Sequence, residues 1–202
     1  MYALVTNNEI TKFINHPKAM VIGDTQYPAK IFQLWSTSEL NAIGIYEVVF
    51  DDSNKKDEQW YINTNQSFAF ADDVVTASYG TATPKAHADT LWTAQDETDG
   101  KGTEGEVATR GLKYNLIKDL KSQVANELAR TDWYITRNTE KETAIPSNIS
   151  TYRDAVRTKQ ASMETAITNA SNTPALETLY TYITDSDGVQ SRPLGELPTL
   201  ES

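Results

Sequence analysis

Two histidines, His16 and His87, are the side chains through which this chain could run acid–base chemistry near neutral pH. His16 precedes Pro17 in a turn sequence, and His87 sits within Lys-Ala-His-Ala-Asp. Neither adjoins a Gly-x-Ser-x-Gly elbow or a partner at ligand spacing. Asp51, Asp52 and Asp57 have the composition of a cation loop but lack its central glycine and its distal glutamate. Gly100, Gly102 and Gly105 have no strand before them and no Lys-Ser/Thr after them, so they do not spell a phosphate loop. Asn65, Asn148 and Asn169 open Asn-x-Ser triplets, which act as glycan acceptors only in a secreted chain. With no cysteine there is neither a disulfide nor a thiolate metal site. The expectation is a non-enzymatic protein with no cofactor and no metal.

Composition narrows the partners. The 202 residues carry a formal net charge of −10 and no Lys/Arg run, whereas phosphate backbones demand clustered cations. Nucleic acid is not an expected partner. No apolar run approaches the ~20 residues of a membrane span, so no membrane partner is expected either. The opening MYALVTNNEI has neither the basic nor the long apolar part of a signal peptide. The expected setting is the cytoplasm where the chain is made, or a particle assembled there.

The elements that must position any site follow from periodicity. Residues 1–94 read as a small, antiparallel, β-rich domain with one short helix. Apolar runs at 2–5 and 10–14 flank Thr6-Asn7-Asn8-Glu9, a hairpin turn signal. Ser36-Thr37-Ser38-Glu39 has capping-box spacing, and Gly44 is placed to stop the helix that follows. Segments 20–22, 45–50, 59–63, 68–70 and 74–79 are strand candidates, separated by turn chemistry at 51–57 and 64–66. Residues 95–107 combine glycines and acids with no aliphatic side chain before Val107, which predicts a flexible linker.

Residues 108–185 read as helical. Leu112, Leu116, Ile117, Leu120, Val124 and Leu128 fall on one stripe. After a polar loop, Pro146 opens a second helix with Ile149, Tyr152, Val156 and Met163 at near-heptad spacing. The two predict a packed helical hairpin. A third short helix is expected from an N-cap at Thr173 with Pro174 behind it, its apolar face running through Leu176, Leu179, Tyr180 and Ile183 to a stop at 185–188. Residues 186–202 should form an extended tail. The fold class expected is α+β.

A helical unit of this size buries a marginal core alone, so the hairpin should dock on the N-terminal domain, on another copy, or on a partner polypeptide. Trp133-Tyr134-Ile135 either closes the end of the hairpin core or anchors a partner. Arg153 and Arg157 lie four apart on one helical face, and Asp132 or Glu127 could pair with them across the hairpin. The aromatic strands Trp60-Tyr61 and 68–70 could instead line a carbohydrate site, which would make the chain a host-surface binding module.

One run carries a likeness. Leu128-Ala129-x-Thr131-Asp132-Trp133, then Ile145-Pro146 and Tyr152-Arg153-x-x-Val156-Arg157, resembles the tail assembly chaperone-like proteins of tailed bacteriophages. The segment Leu34-Trp35-x(4)-Leu40-x-x-Ile43-Gly44-Ile45-Tyr46-x-Val48 is similar to the openings of phage tail-fibre assembly proteins. The resemblance implies a small non-enzymatic protein that binds a tail-fibre or baseplate polypeptide. Such a protein either assists assembly in the host cytoplasm or stays in the virion tail. The residues it marks are Leu128, Asp132, Trp133, Tyr134, Tyr152, Arg153, Val156 and Arg157, as definers of the hairpin or of its partner surface. The chain departs from the family in the length of its polar loop at 136–143 and in its additional C-terminal helix and tail.

Overall fold

Asn7 and Asn8 both hold positive φ, 53° and 63°, the conformation a tight hairpin turn demands and asparagine tolerates. They join β1 (Tyr2–Thr6) to β2 (Glu9–Ile14). The structure, a computed structural model, describes residues 1–64 and 66–200. Asn65, with its Asn-x-Ser triplet and its place in the expected 64–66 turn, lies outside the described residues, as does the end of the tail at 201–202. The fold is α+β, and the chain divides into two units, one ending at Thr83 and the other beginning at Pro84.

In the first unit β3 (Met20–Ile22) and β4 (Thr25–Tyr27) form a second hairpin. Two short helices follow where one was expected, α1 (Ile31–Leu34) and α2 (Thr37–Ala42). Ser36 and Glu39 cap α2 reciprocally, the serine side chain accepting from the Glu39 amide and the glutamate from the Ser36 amide. Gly44 then turns the chain with φ +82°; a Cβ there would stand 2.6 Å from the Val5 carbonyl oxygen. Only glycine fits both demands. β5 (Ile45–Asp51), β6 (Tyr61–Ile62), β7 (Ser67–Ala71) and β8 (Val74–Ser78) complete the set, with β6 laddered to β9 (Thr83–Pro84).

The main sheet has the order β2-β1-β5-β8-β7. Its pairings are antiparallel except β5 with β8, which is parallel. The antiparallel expectation missed this one because residues 52–73 cross back and return β8 in the direction of β5. The sheet curls until its edges approach, with the rings of Phe13 on β2 and Phe68 on β7 4.4 Å apart. Ala3, Val5, Val48, Val75 and Ala77 fill one face, and Ile14, Met20, Ile31, Leu40 and Ile45 form the core under the helices.

The second unit opens with the segment read as a linker, and that reading is corrected. β10 (Thr90–Leu91), α3 (Ala94–Thr98) and β11 (Val107–Thr109) fold it into a ribbon with a helical tip. Its order comes from polar local bonds, which a search for aliphatic residues overlooks. Thr93 and Asp96 form a capping box, Lys101 pairs with Asp96 and Asp99, and Gly102 lies so close to the Trp92 ring that a Cβ would clash.

Beyond it run α4 (Leu112–Ala129), α5 (Asp132–Lys141), α6 (Ser147–Asn169) and α7 (Thr173–Tyr180). The long loop expected at 136–143 is therefore mostly helix α5. Its polar residues lie on a helix with no fully buried side chain, separated from α4 by only two residues. The third helix is capped by Asn172 rather than Thr173, its side chain accepting from the Ala175 amide. Ile183 belongs to β12 (Ile183–Thr184), which pairs with β13 (Gln190–Ser191), so 185–188 is a hairpin turn and not a helix stop. The expected extended tail is thus part ribbon, and Leu194 within it is buried. Among the described residues, no helix is long and apolar enough to cross a membrane.

Candidate functional site

Leu120 and Val124 of α4 and Ile149, Tyr152, Val156, Met163 and Ile167 of α6 are buried. These two helices run antiparallel, and each sends a cation to the other's last carbonyls. Arg153 Nη1 on α6 donates to the Leu128 carbonyl oxygen of α4 at 2.8 Å. Lys113 Nζ on α4 donates to the Thr168 carbonyl oxygen of α6 at 2.7 Å. A helix C-terminus presents unpaired carbonyls and a partial negative charge, so each contact satisfies both.

The Arg153 end is the richer one. The same nitrogen reaches Thr131 Oγ1 at 2.7 Å and Asp132 Oδ1 at 2.8 Å, while the Thr131 hydroxyl donates to the Leu128 carbonyl at 2.9 Å. Thr131 is fully buried and Arg153 nearly so. One turn back, the Tyr152 hydroxyl donates to Glu127 Oε2 at 2.8 Å, and Arg130 pairs with the same carboxylate. The tyrosine's hydrogen bond, more than Arg130, holds the Glu127 carboxyl below its ordinary range; partial burial works against it. Burial pushes the Tyr152 phenol up, and the bond to Glu127 adds to the rise. The two residues between α4 and α5 are fixed by this cluster, which sets the direction in which α5 leaves the hairpin.

Helix α5 then presents a row of large side chains. Trp133 is 60% exposed and Ile135 37%, with Tyr134 half-buried beside them. Trp133 therefore does not close the hairpin core; Asp132, held by Arg153, turns the chain before the indole can reach it. The Arg137 guanidinium lies 5.0 Å from the Trp133 ring centroid and 5.4 Å from that of Tyr134, and the two rings are 6.1 Å apart. Stacking at i, i+4 and i, i+3 ties the Trp133 and Tyr134 rings to Arg137. Arg137 Nε is buried without a partner.

The residues singled out from sequence thus separate into three groups. Leu128, Asp132, Tyr152, Arg153 and Val156 come together at the hairpin joint, with Val156 fully buried in the core. Trp133 stands exposed on α5, with Tyr134 half-buried beside it. Arg157 joins neither, since it is exposed and, among the described residues, reaches only Asp154, three residues away on its own helix, at 3.4 Å. Sequence reasoning missed Arg137 and Lys113. The four-residue step from Trp133 to Arg137 was a readable signal; nothing local marks Lys113, whose acceptor is 55 residues away.

The other chemical candidates resolve into turns and caps. The Ser53 side chain, and after it the Ser53 amide from which Asp51 accepts, lower the Asp51 pKa, and Asp57 accepts from the Gln59 amide. Gly100 and Gly105 take positive φ within the ribbon. His16 is exposed, and the backbone carbonyl of His87 accepts from Lys113. Among the described residues, no group of three His, Asp or Glu side chains could hold a metal. Trp60 and Tyr61, put forward for a sugar site, are 3% exposed each, and Phe68 and Phe70 pack on the sheet core. Trp60 and Tyr61 are thereby withdrawn from solvent, and Phe68 and Phe70 are so in part. Comparison with protein-family models, with curated proteins and with solved structures gives no match.

Proposed function

We infer that this chain is a non-enzymatic component of a phage tail that binds a tail-fibre or baseplate polypeptide through the outward face of α5. The observation that carries the binding surface is the exposed Trp133 ring, which Arg137 covers together with the half-buried Tyr134. Aromatic and arginine side chains are the commonest anchors of protein interfaces, and a ring already stacked loses little side-chain entropy on binding. The phage setting rests on the motif likeness of 128–133 and 152–157. The Arg153 cluster supports the reading from beneath, because it fixes the base of the helix that carries Trp133.

Two versions of the role differ in where the protein ends up. An assembly chaperone leaves the finished tail, and an adaptor stays in it. The test is affinity purification of the tagged full chain during infection, with bound polypeptides identified by mass spectrometry, alongside the same measurement on purified particles. The reading expects one tail-fibre or baseplate polypeptide in near-stoichiometric amount, lost with Trp133→Ala. Presence in particles selects the adaptor and absence the chaperone. Recovery of no tail polypeptide, or equal recovery with the alanine variant, overturns the reading.

A further inference from the structure

Arg137 is the arginine this chain leaves without a carboxylate. The other five each pair with an acid, at distances from 2.6 to 3.4 Å. Among the described residues Arg137 makes no ion pair and no hydrogen bond; it lies over the rings of Trp133 and Tyr134 instead. Acids are not scarce, since 28 Asp and Glu stand against 18 Lys and Arg. Glu140 follows three residues along α5, a spacing that suits an ion pair, yet makes none with it. Lys141, four residues along, is also without a carboxylate among the described residues.

The guanidinium is half-buried, and its two ends differ. Nε is shut off both from solvent and from any acceptor, so that side has given up water with no hydrogen bond in return. Nη1 and Nη2 keep their access to solvent. They form a rigid fork of N–H donors that matches the two oxygens of a carboxylate with parallel bonds. The rings keep water from one side of the group, and a charge-assisted bond made beside them is stronger than one in open water.

We propose that the partner meets α5 with an Asp or Glu whose carboxylate takes the Nη fork of Arg137, beside an apolar side chain that covers the Trp133 ring; this rests on the α5 reading and names the partner's chemistry there. Trp133 is 60% exposed and stands one helical turn before Arg137, so neighbouring residues of one partner segment reach both. Charge complementarity selects the occupant. A phosphate backbone needs clustered cations and meets a chain of net charge −10. A single carboxylate needs only this guanidinium, at a range where distant charges are screened.

The test pans a random-peptide display library on the full chain and keeps the clones whose binding is lost with Trp133→Ala. Each is then made as a fluorescein-labelled peptide and titrated by fluorescence anisotropy. The expected peptides carry Asp or Glu next to an apolar residue and bind Arg137→Gln at least ~10-fold more weakly. Arg137→Lys, which keeps the charge without the fork, serves in its place if Arg137→Gln fails to fold by circular dichroism. Arg137 also packs on Trp133, so a charge exchange separates pairing from packing: peptides with the acid replaced by lysine should bind Arg137→Glu better than the acidic originals do. Kept peptides that lack an acid, indifference to the loss of the guanidinium, or no reversal in the exchanged pair overturns the proposal while leaving the α5 reading intact. Recovery of no clone that depends on Trp133 overturns both. Concentration-dependent dimers of the full chain that vanish with Arg137→Gln assign the guanidinium to a second copy and also overturn the proposal.

Discussion

Replacing Arg153 by methionine tests how the hairpin joint is held. Methionine keeps most of the apolar stem and removes the guanidinium. Arg153 Nη1 lies within 2.8 Å of three oxygens, on Leu128, Thr131 and Asp132. It carries only two hydrogens, so at most two of these contacts are strong at once. Hydrogen bonds to a charged group contribute about 1.5–3 kcal/mol each, and breaking a buried ion pair costs about 3–5 kcal/mol. Two features reduce the loss here. The Asp132 side chain is 59% exposed and rehydrates, and the Leu128 carbonyl keeps the Thr131 hydroxyl. Loss of the unpartnered, buried Arg153 Nε returns a little more. The net cost expected is about 2–3 kcal/mol, read from urea unfolding of the full chain by far-ultraviolet circular dichroism. Arg153→Lys restores charge without reach and should recover less than half of it. A loss below about 0.5 kcal/mol for Arg153→Met, in the range of an ordinary surface change, would refute the assignment of this arginine as the lock.

The remaining predictions probe other levels of the account. Trp133→Ala should leave stability within about 0.5 kcal/mol, because the side chain is mostly in water, while removing partner capture. Ile167→Ala, at a fully buried position on α6, should cost about 2–5 kcal/mol in the same unfolding assay. Gly44→Ala should destabilise by at least about 1 kcal/mol, since the new Cβ meets both a positive φ and the Val5 carbonyl. For pH, the sign follows from depressed carboxyl pKa values. Glu127 lies below its ordinary 4.5 and Asp96 falls from 3.8 to about 2. Each contributes stability that is present above its unfolded value and lost as pH falls through its folded one. The melting temperature should therefore drop between pH 4.5 and about 2, and Glu127→Gln should flatten the upper part of that drop.

What could be read from the sequence divides along physical lines. The Asn7-Asn8 turn, the Ser36–Glu39 capping box and the apolar stripes of α4 and α6, buried in α4 at Leu120 and Val124, were legible because each depends on neighbours within about two helical turns. The ribbon at 90–109 was not. Its order comes from Trp92 lying on Gly102 and from Lys101 reaching two aspartates, and composition alone makes such a segment look unstructured. α5 escaped notice because only two residues separate it from α4 and it buries no side chain fully, so its first turn reads as the close of α4. The parallel pairing of β5 with β8 is a property of the crossover, which strand patterns do not encode. At the site, the motif containing Tyr152 and Arg153 was visible. Nothing before the fold showed that Arg153 and Lys113 each cap the other's helix, because the partners lie 25 and 55 residues apart in the sequence.

The most direct test of the central claim is photo-crosslinking from position 133. A photoreactive phenylalanine replaces Trp133 in the full chain, with position 157 on α6, also exposed, substituted in parallel as a control. The account predicts a crosslink from 133, during infection, to a single tail-fibre or baseplate polypeptide, and none from 157. Equal crosslinking from both positions, or a product from 133 that contains no tail polypeptide, contradicts it.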